Sequence, residues 1–142
     1  MGVNRGNAQS LVGIYVLIIQ VDEEINVDVG ALGETAFEKG LYAYVGSAQT
    51  NLLQRIKRHL RTEKRTFWHV DYLLDNPAAK IIKVLFKEAA KPEECKTASI
   101  ISERSEPIAG FGCSDCNCKS HLFHIENYRC IQKNMQVFPI ET

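Results

Sequence analysis

The sequence predicts an α+β domain, a small antiparallel-dominated sheet flanked by helices. Three observations predict it. Aliphatic and β-branched runs of strand length come early and are joined by short links, which favours antiparallel pairing. Apolar residues at helical spacing follow over 51–63 and 92–102, with another strand-like run between them. A chain of 142 residues fits one domain and can bury roughly 70% of the surface its unfolded form exposes, so it needs no disulfide framework.

Residues 1–10 are polar and contain Gly2 and Gly6, which reads as a loose lead-in to a single domain over 11–142. Leu11 to Val21 is dense enough in aliphatic and β-branched residues to be a buried strand. Asp22 to Asn26 reads as a charged turn. Ile25, Val27 and Val29 alternate with polar residues as a short half-exposed strand does, until Gly30 and Gly33 break the pattern. Leu41 to Val45 gives the next strand. Over Asn51 to Glu63 the apolar residues Leu52, Leu53, Ile56 and Leu60 fall within about 100° of arc on a helix, which Asn51 or Thr50 can cap. A second helix is expected over Trp68 to Leu74, stopped near Pro77. Lys80 to Phe86 reads as a strand and Pro92 to Ser102 as a helix with proline in its first turn. A cysteine-rich loop over 110–124 follows, and Leu122–Ile125 and Ile131–Phe138 are expected to close the fold as strands.

Charge and cysteine content narrow the function classes. Lys plus Arg and Asp plus Glu both number 17, which argues against a strongly basic nucleic-acid coat but not against a local basic face. No apolar run is long enough to span a bilayer and no signal-peptide pattern opens the chain, so a cytoplasmic protein with no membrane partner is expected. Five cysteines is an odd count, and three of them crowd into six positions. In a reducing compartment that points to metal or thiol chemistry before disulfides.

Gly13-Ile14-Tyr15 begins one strand and Tyr44-Val45-Gly46 ends another; as neighbours, both phenols would face one pocket. The helix that follows supplies cations at defined angles. Arg55 and His59, four residues apart, share a face within about 60° of the apolar arc, at a rim beside the core, while Lys57 and Arg61 point away. Lys57, Arg58, Arg61, Lys64 and Arg65 surround them, and Glu63 is the only acid between Arg55 and Arg65. The neutral total therefore hides a cationic segment of the kind that binds phosphates. Taken singly each part has a plainer meaning, since strand tyrosines are usually core and basic helix runs usually solvated.

Their joint order resembles the GIY-YIG nuclease family. The resemblance is carried by Gly13-Ile14-Tyr15, by Tyr44-Val45-Gly46-Ser47-Ala48, and by Arg55 and His59 inside RIKRHL, and it spans Gly13 to about Glu103. The family usually joins its two tyrosine motifs by a tight hairpin, whereas Gln20 to Leu41 is an insertion here. That spacer, with FWHVDYLL and SDCNCKSHLF, is similar to an uncharacterised, mainly archaeal subfamily. The resemblance implies a GIY-YIG-like fold and a metal-dependent endonuclease that hydrolyses phosphodiester bonds by a one-metal mechanism, with DNA favoured over RNA. The implied catalytic residues are Tyr15, Tyr44, Arg55 and His59, and the implied cofactor is Mg²⁺ (or Mn²⁺) on a glutamate of a later helix. Tyr15 would take the proton of the attacking water, Tyr44 or His59 being alternative bases, and Arg55 would stabilise the charged phosphorus centre. Lys57, Arg58, Arg61, Lys64 and Arg65 would hold the nucleic acid. The asparagine that some relatives place after the glutamate helix is missing from 107–112.

Glu93 and Glu94 both open the helix at Pro92. On a wheel Glu94 falls with Cys95, Ala98 and Ile101 on the apolar side and Glu93 on the outer flank, so Glu94 is the metal-ligand candidate. A buried carboxylate is costly unless paired or metal-bound; the plainer alternative is that it favours the helix dipole. Cys113, Cys116, Cys118 and His121 offer four soft or borderline ligands in nine residues, a candidate structural Zn²⁺ site with His124 and Cys130 as substitutes, although the C-x-C inside it is tight. A reduced cysteine loop is the plainer alternative. His69 and Asp71 beside Trp68 read better as part of an amphipathic core helix than as a base-stacking contact.

Two readings compete with the nuclease: a nucleic-acid-binding domain without catalysis, and a zinc or thiol protein built on the Cys113–His121 cluster. No separate DNA-reading domain is visible, so sequence preference would come from a protein partner, the insertion or substrate shape.

Overall fold

The first apolar run becomes the middle of the sheet. The computed structural model describes residues 11–61, 66, 68–111 and 120–140. Strand β1 (Gly13–Val21) is buried at every position but Gln20. It pairs antiparallel with β4 (Gly40–Ala48) on one side and β5 (Ala79–Glu88) on the other. Neighbours on both edges and cover on both faces are why its sequence runs apolar without alternating. β7 (Leu122–Ile125) and then β6 (Glu106–Pro107) extend the β4 side, and β8 (Gln136–Phe138) extends the β5 side. The order is β6-β7-β4-β1-β5-β8, antiparallel throughout. With four α-helices among the described residues, α1 (Leu52–Leu60), α2 (His69–Leu74), α3 (Pro92–Ser102) and α4 (Arg129–Gln132), the fold is α+β as expected.

The spacer is smaller and more ordered than an insertion over Gln20 to Leu41. Gln20 pairs with Leu41 inside the main sheet, and the excursion between them is a separate hairpin of β2 (Ile25–Asp28) and β3 (Glu34–Phe37), joined through a 3₁₀ turn at Gly30–Leu32. Val27, Val29 and Phe37 bury themselves against the main core.

Other boundaries need correction. α1 ends at Leu60 instead of running to Glu63, because Arg61 is already extended at φ −73° and ψ 142°. Asn51 occupies its N-cap position without making a capping bond. α2 starts one residue late, with the Trp68 backbone N–H donating to Asp71 Oδ2 at 2.9 Å. Residues 131–138 are not one strand; α4 takes the first part and only Gln136–Phe138 pairs with β5. α3 has the expected bounds, started by Pro92 at a position whose missing N–H costs nothing.

The sheet separates two cores. Tyr15, Leu17, Ile19, Tyr42 and Tyr44 point to one face, under Leu52 and Ile56 of α1, Val70 and Leu73 of α2, and the hairpin. Val16, Ile18, Ala43, Val45 and Leu85 point to the other, under Ala98 and Ile101 of α3. Burying the side chains of one such layer contributes roughly 1.5–3 kcal/mol each. No helix among the described residues is long and apolar enough to cross a membrane.

Candidate active site

β1 and β4 are neighbours, and their register aims both tyrosines at one place. Tyr15 lies opposite Gly46 and Leu17 opposite Tyr44, so the two phenols sit diagonally on one face with ring centroids 6.5 Å apart. Gly46 is what makes room, because a Cβ there would run into the Tyr15 ring. Gly13 is equally constrained; a Cβ would meet the Lys87 carbonyl of β5.

α1 crosses this face and drives His59 into it. Its imidazole is not at a rim, as the wheel suggested, but 2% exposed. Nε2 lies 2.8 Å from the Tyr15 hydroxyl, and Nδ1 lies 4.0 Å from Asp71 Oδ1. A carboxylate beside Nδ1 favours the proton on that nitrogen, leaving Nε2 to accept the tyrosine O–H. Asp71 is itself fixed: its two oxygens accept from Arg58 Nη1 at 3.1 Å and Nη2 at 3.0 Å. Arg58, expected among the cations that would hold nucleic acid, instead turns inward to Asp71 and also stacks on Trp68, 4.4 Å from the ring centre. Arg55 stacks on Trp68 as well, its guanidinium carbon 4.6 Å from the same ring centre.

Burial pushes the Tyr15 hydroxyl far above the ordinary tyrosine range, and the positive charge of the nearby Arg55 guanidinium pulls the other way. Tyr44 is likewise pushed up, by burial first and then by the neighbouring Tyr15, Glu94 and Asp71. Both phenols are neutral at rest.

Glu94 approaches from α3, on the opposite side of the sheet, and the two halves meet where β4 ends. Arg55 Nη1 donates to the Ser47 carbonyl at 3.2 Å, and the Ser47 hydroxyl donates to Glu94 Oε1 at 3.2 Å. One residue thus joins the guanidinium to the carboxylate. The Glu94 side chain is 13% exposed, so the acid is sunk but reachable, whereas Glu93 pairs with Lys87 at 3.3 Å on the flank. The second carboxylate oxygen of Glu94 lies 3.4 Å from His121 Nδ1. A hard oxygen donor with no Lys or Arg partner among the described residues, beside a hydroxyl and an imidazole, fits a divalent cation.

The geometry thus brings together Tyr15, Tyr44, Arg55, His59 and Glu94. It adds Ser47, Asp71 and Trp68, which sequence reasoning did not assign to the site, although Ser47 lies inside the second tyrosine motif. Lys57 and Arg61 are exposed as expected, and Lys64 and Arg65 lie outside the described residues. So do Cys113, Cys116 and Cys118; His121 of that cluster is 2% exposed and faces Glu94. The substitutes lie apart from one another: His124 stacks on Tyr42 at 4.6 Å, while Cys130 Sγ accepts from Arg104 at 3.6 Å. His69 sits edge-on to Phe111, its pKa lowered by burial. A concavity lined by Arg61, Asn76 and Phe138 lies elsewhere; it meets Lys57 and His59 but none of Tyr15, Tyr44, Arg55 and Glu94.

The family model for a domain of unknown function, DUF123, matches residues 14–139. No curated protein and no solved structure matches the chain.

Proposed function

The chain belongs to DUF123, a family whose name carries no activity, and from the site alone we propose that it is a metal-dependent endonuclease cutting phosphodiester bonds in DNA. The observation that carries this reading is the convergence of two phenols, a guanidinium, a buried histidine and a carboxylate on the end of β4, linked through Ser47. It is the order of groups on which the resemblance to GIY-YIG nucleases rests.

Hydrolysis needs a deprotonated water, charge stabilisation at phosphorus and help for the departing oxygen. Tyr15 is neutral at rest, so it acts as a relay: it takes the water's proton as its own passes to His59 Nε2. The imidazolium that forms faces the Asp71 carboxylate, which Arg58 and the Trp68 N–H hold in place. Arg55 lies beside the Tyr15 oxygen, where it stabilises negative charge on the phenol and on the phosphoryl oxygens. Tyr44 orients the water or the phosphate. Glu94, with Ser47 steadying one oxygen, would hold a divalent cation, whose chemistry is to neutralise charge on the leaving oxygen. Lys57 and Arg61 offer exposed cations to the flanking backbone.

Incubating supercoiled plasmid and labelled RNA with the protein, in Mg²⁺ or EDTA, tests this. Expected is metal-dependent nicking of DNA, reduced by about a hundredfold or more in Glu94→Gln and Arg55→Ala and unchanged in Glu93→Gln. Salt-sensitive binding with no nicking under either condition would instead leave a binding domain.

A further inference from the structure

His121 sits where local spacing did not put it. Read along the chain it belongs with Cys113, Cys116 and Cys118; in space its Nδ1 looks at the carboxylate of Glu94, 3.4 Å from Oε2. Backbone bonds deliver it there. Its N–H donates to the Phe111 carbonyl at 2.8 Å, and its own carbonyl accepts from Val45 N–H of β4, also at 2.8 Å. Phe111 is fully buried and Ser120 closes a local turn onto Leu122, so the residue is anchored on both sides.

The separation itself is informative. A charge-assisted N–H···O⁻ bond closes to about 2.7–2.9 Å. Two donors bound to one ion at about 2.0–2.1 Å stand roughly 3.0 Å apart in an octahedron and about 3.3 Å apart in a tetrahedron. Nitrogen and oxygen here have the spacing of co-ligands, and Ser47 occupies only the other carboxylate oxygen.

We propose that His121 is the second protein ligand of the Glu94 cation, making a mixed imidazole–carboxylate site that prefers Mn²⁺ or Co²⁺ to Mg²⁺. This rests on the reading of Glu94 as the metal carboxylate. Imidazole nitrogen adds little for Mg²⁺, which is served by oxygen and retains its waters, and adds much for the later divalent ions. The consequence for the reaction is a cation held from two elements, α3 and the start of β7, and not from a single helix turn.

Mn²⁺ titrated into the full chain tests it without activity, by pulsed EPR for nitrogen coupling and by calorimetry. A second candidate donor set supplies the control, because ligand atoms of Glu38, Glu106 and His124 lie within 4.8 Å of one another near the surface. The expected result is a nitrogen coupling in the wild type that survives His124→Gln and disappears in His121→Gln and in Glu94→Gln. Mn²⁺ affinity should fall about tenfold or more in His121→Gln while Mg²⁺ affinity changes less than about threefold. A wild-type ion with no nitrogen coupling, a coupling that persists in Glu94→Gln, or one lost only in His124→Gln overturns the proposal; so does a protein that binds no Mn²⁺. Plasmid nicking measured on the same samples separates the two ideas. Nicking without nitrogen ligation removes the role of His121 and leaves the nuclease, whereas His121-dependent binding without nicking removes the nuclease and leaves the metal site.

Discussion

Replacing Asp71 by asparagine deletes a buried negative charge while keeping the side chain's shape. The wild-type carboxylate is fully buried and, among its hydrogen bonds, accepts two from Arg58 and one from the Trp68 N–H. Asparagine can still accept from Trp68 but must turn its NH₂ toward the guanidinium, setting donor against donor. Losing one partner of a buried ion pair costs about 3–5 kcal/mol. The Arg58 side chain is 21% exposed and can recover some hydration, so the lower end, about 3 kcal/mol, applies. A chain of 142 residues has an unfolding entropy near 0.3 kcal/mol/K, which turns that cost into a drop in Tm of about 10 °C. Arg58→Met, which keeps apolar packing over Trp68 and strands the carboxylate, should cost at least as much. The double variant should be less damaged than the sum, with a coupling of about 2 kcal/mol in a denaturant-melt cycle. A coupling below about 0.5 kcal/mol would refute the view that the pair, and not merely the volume of its members, holds α1 to α2.

Other expectations are shorter to state. Gly46→Ala should push the Tyr15 ring off His59, destabilising by about 2–4 kcal/mol from overpacking plus a lost hydrogen bond; a melt within 1 kcal/mol (roughly) of wild type would contradict the close approach. Burial raises the phenols of Tyr15 and Tyr44, and pushes Tyr42 up to about 12, so their neutral forms favour the folded state. That stability is complete below pH 10 and is lost as pH climbs toward the folded values, at about 1.4 kcal/mol per pH unit for each of Tyr15 and Tyr44. Absorbance at about 295 nm and circular dichroism should therefore change together in alkali; full ionisation of all five tyrosines near pH 10 with the fold intact would contradict it. Ser47→Ala should leave stability within about 1 kcal/mol yet weaken Mn²⁺ binding, since it frees one oxygen of Glu94 to rotate. Unchanged calorimetric affinity would count against Ser47 as a link.

What could be read from the sequence was whatever local pattern decides. β1 announced itself by an unbroken apolar run, and α3 by its proline start and the inward placement of Glu94. The hairpin strand Glu34–Phe37 did not, because only Ala36 and Phe37 are apolar and Phe37 alone is buried. A helical wheel puts His59 at a rim because it scores imidazole as polar; what buries it are Tyr15 and Asp71, 44 and 12 residues away. Arg58 looked like one more solvated cation for the same reason. Local spacing groups His121 with cysteines three to eight positions off, although its partner in space is 27 residues back. For His59, Arg58 and His121 alike, the environment of a polar side chain is built by residues distant in sequence.

The β2–β3 excursion ends not in solvent but on the body of the protein. Gly30 at its turn lies against the Tyr72 ring, Leu32 reaches Gly110, and Phe37 stands edge-on to both Tyr42 and Phe111. A polypeptide detour that might be trimmed to recover a minimal scaffold is therefore a wall of the same room as the tyrosines. Protein engineers seeking a graft point for a targeting module should leave that turn alone and enter at Asp22–Glu24, where the backbone bends in the open.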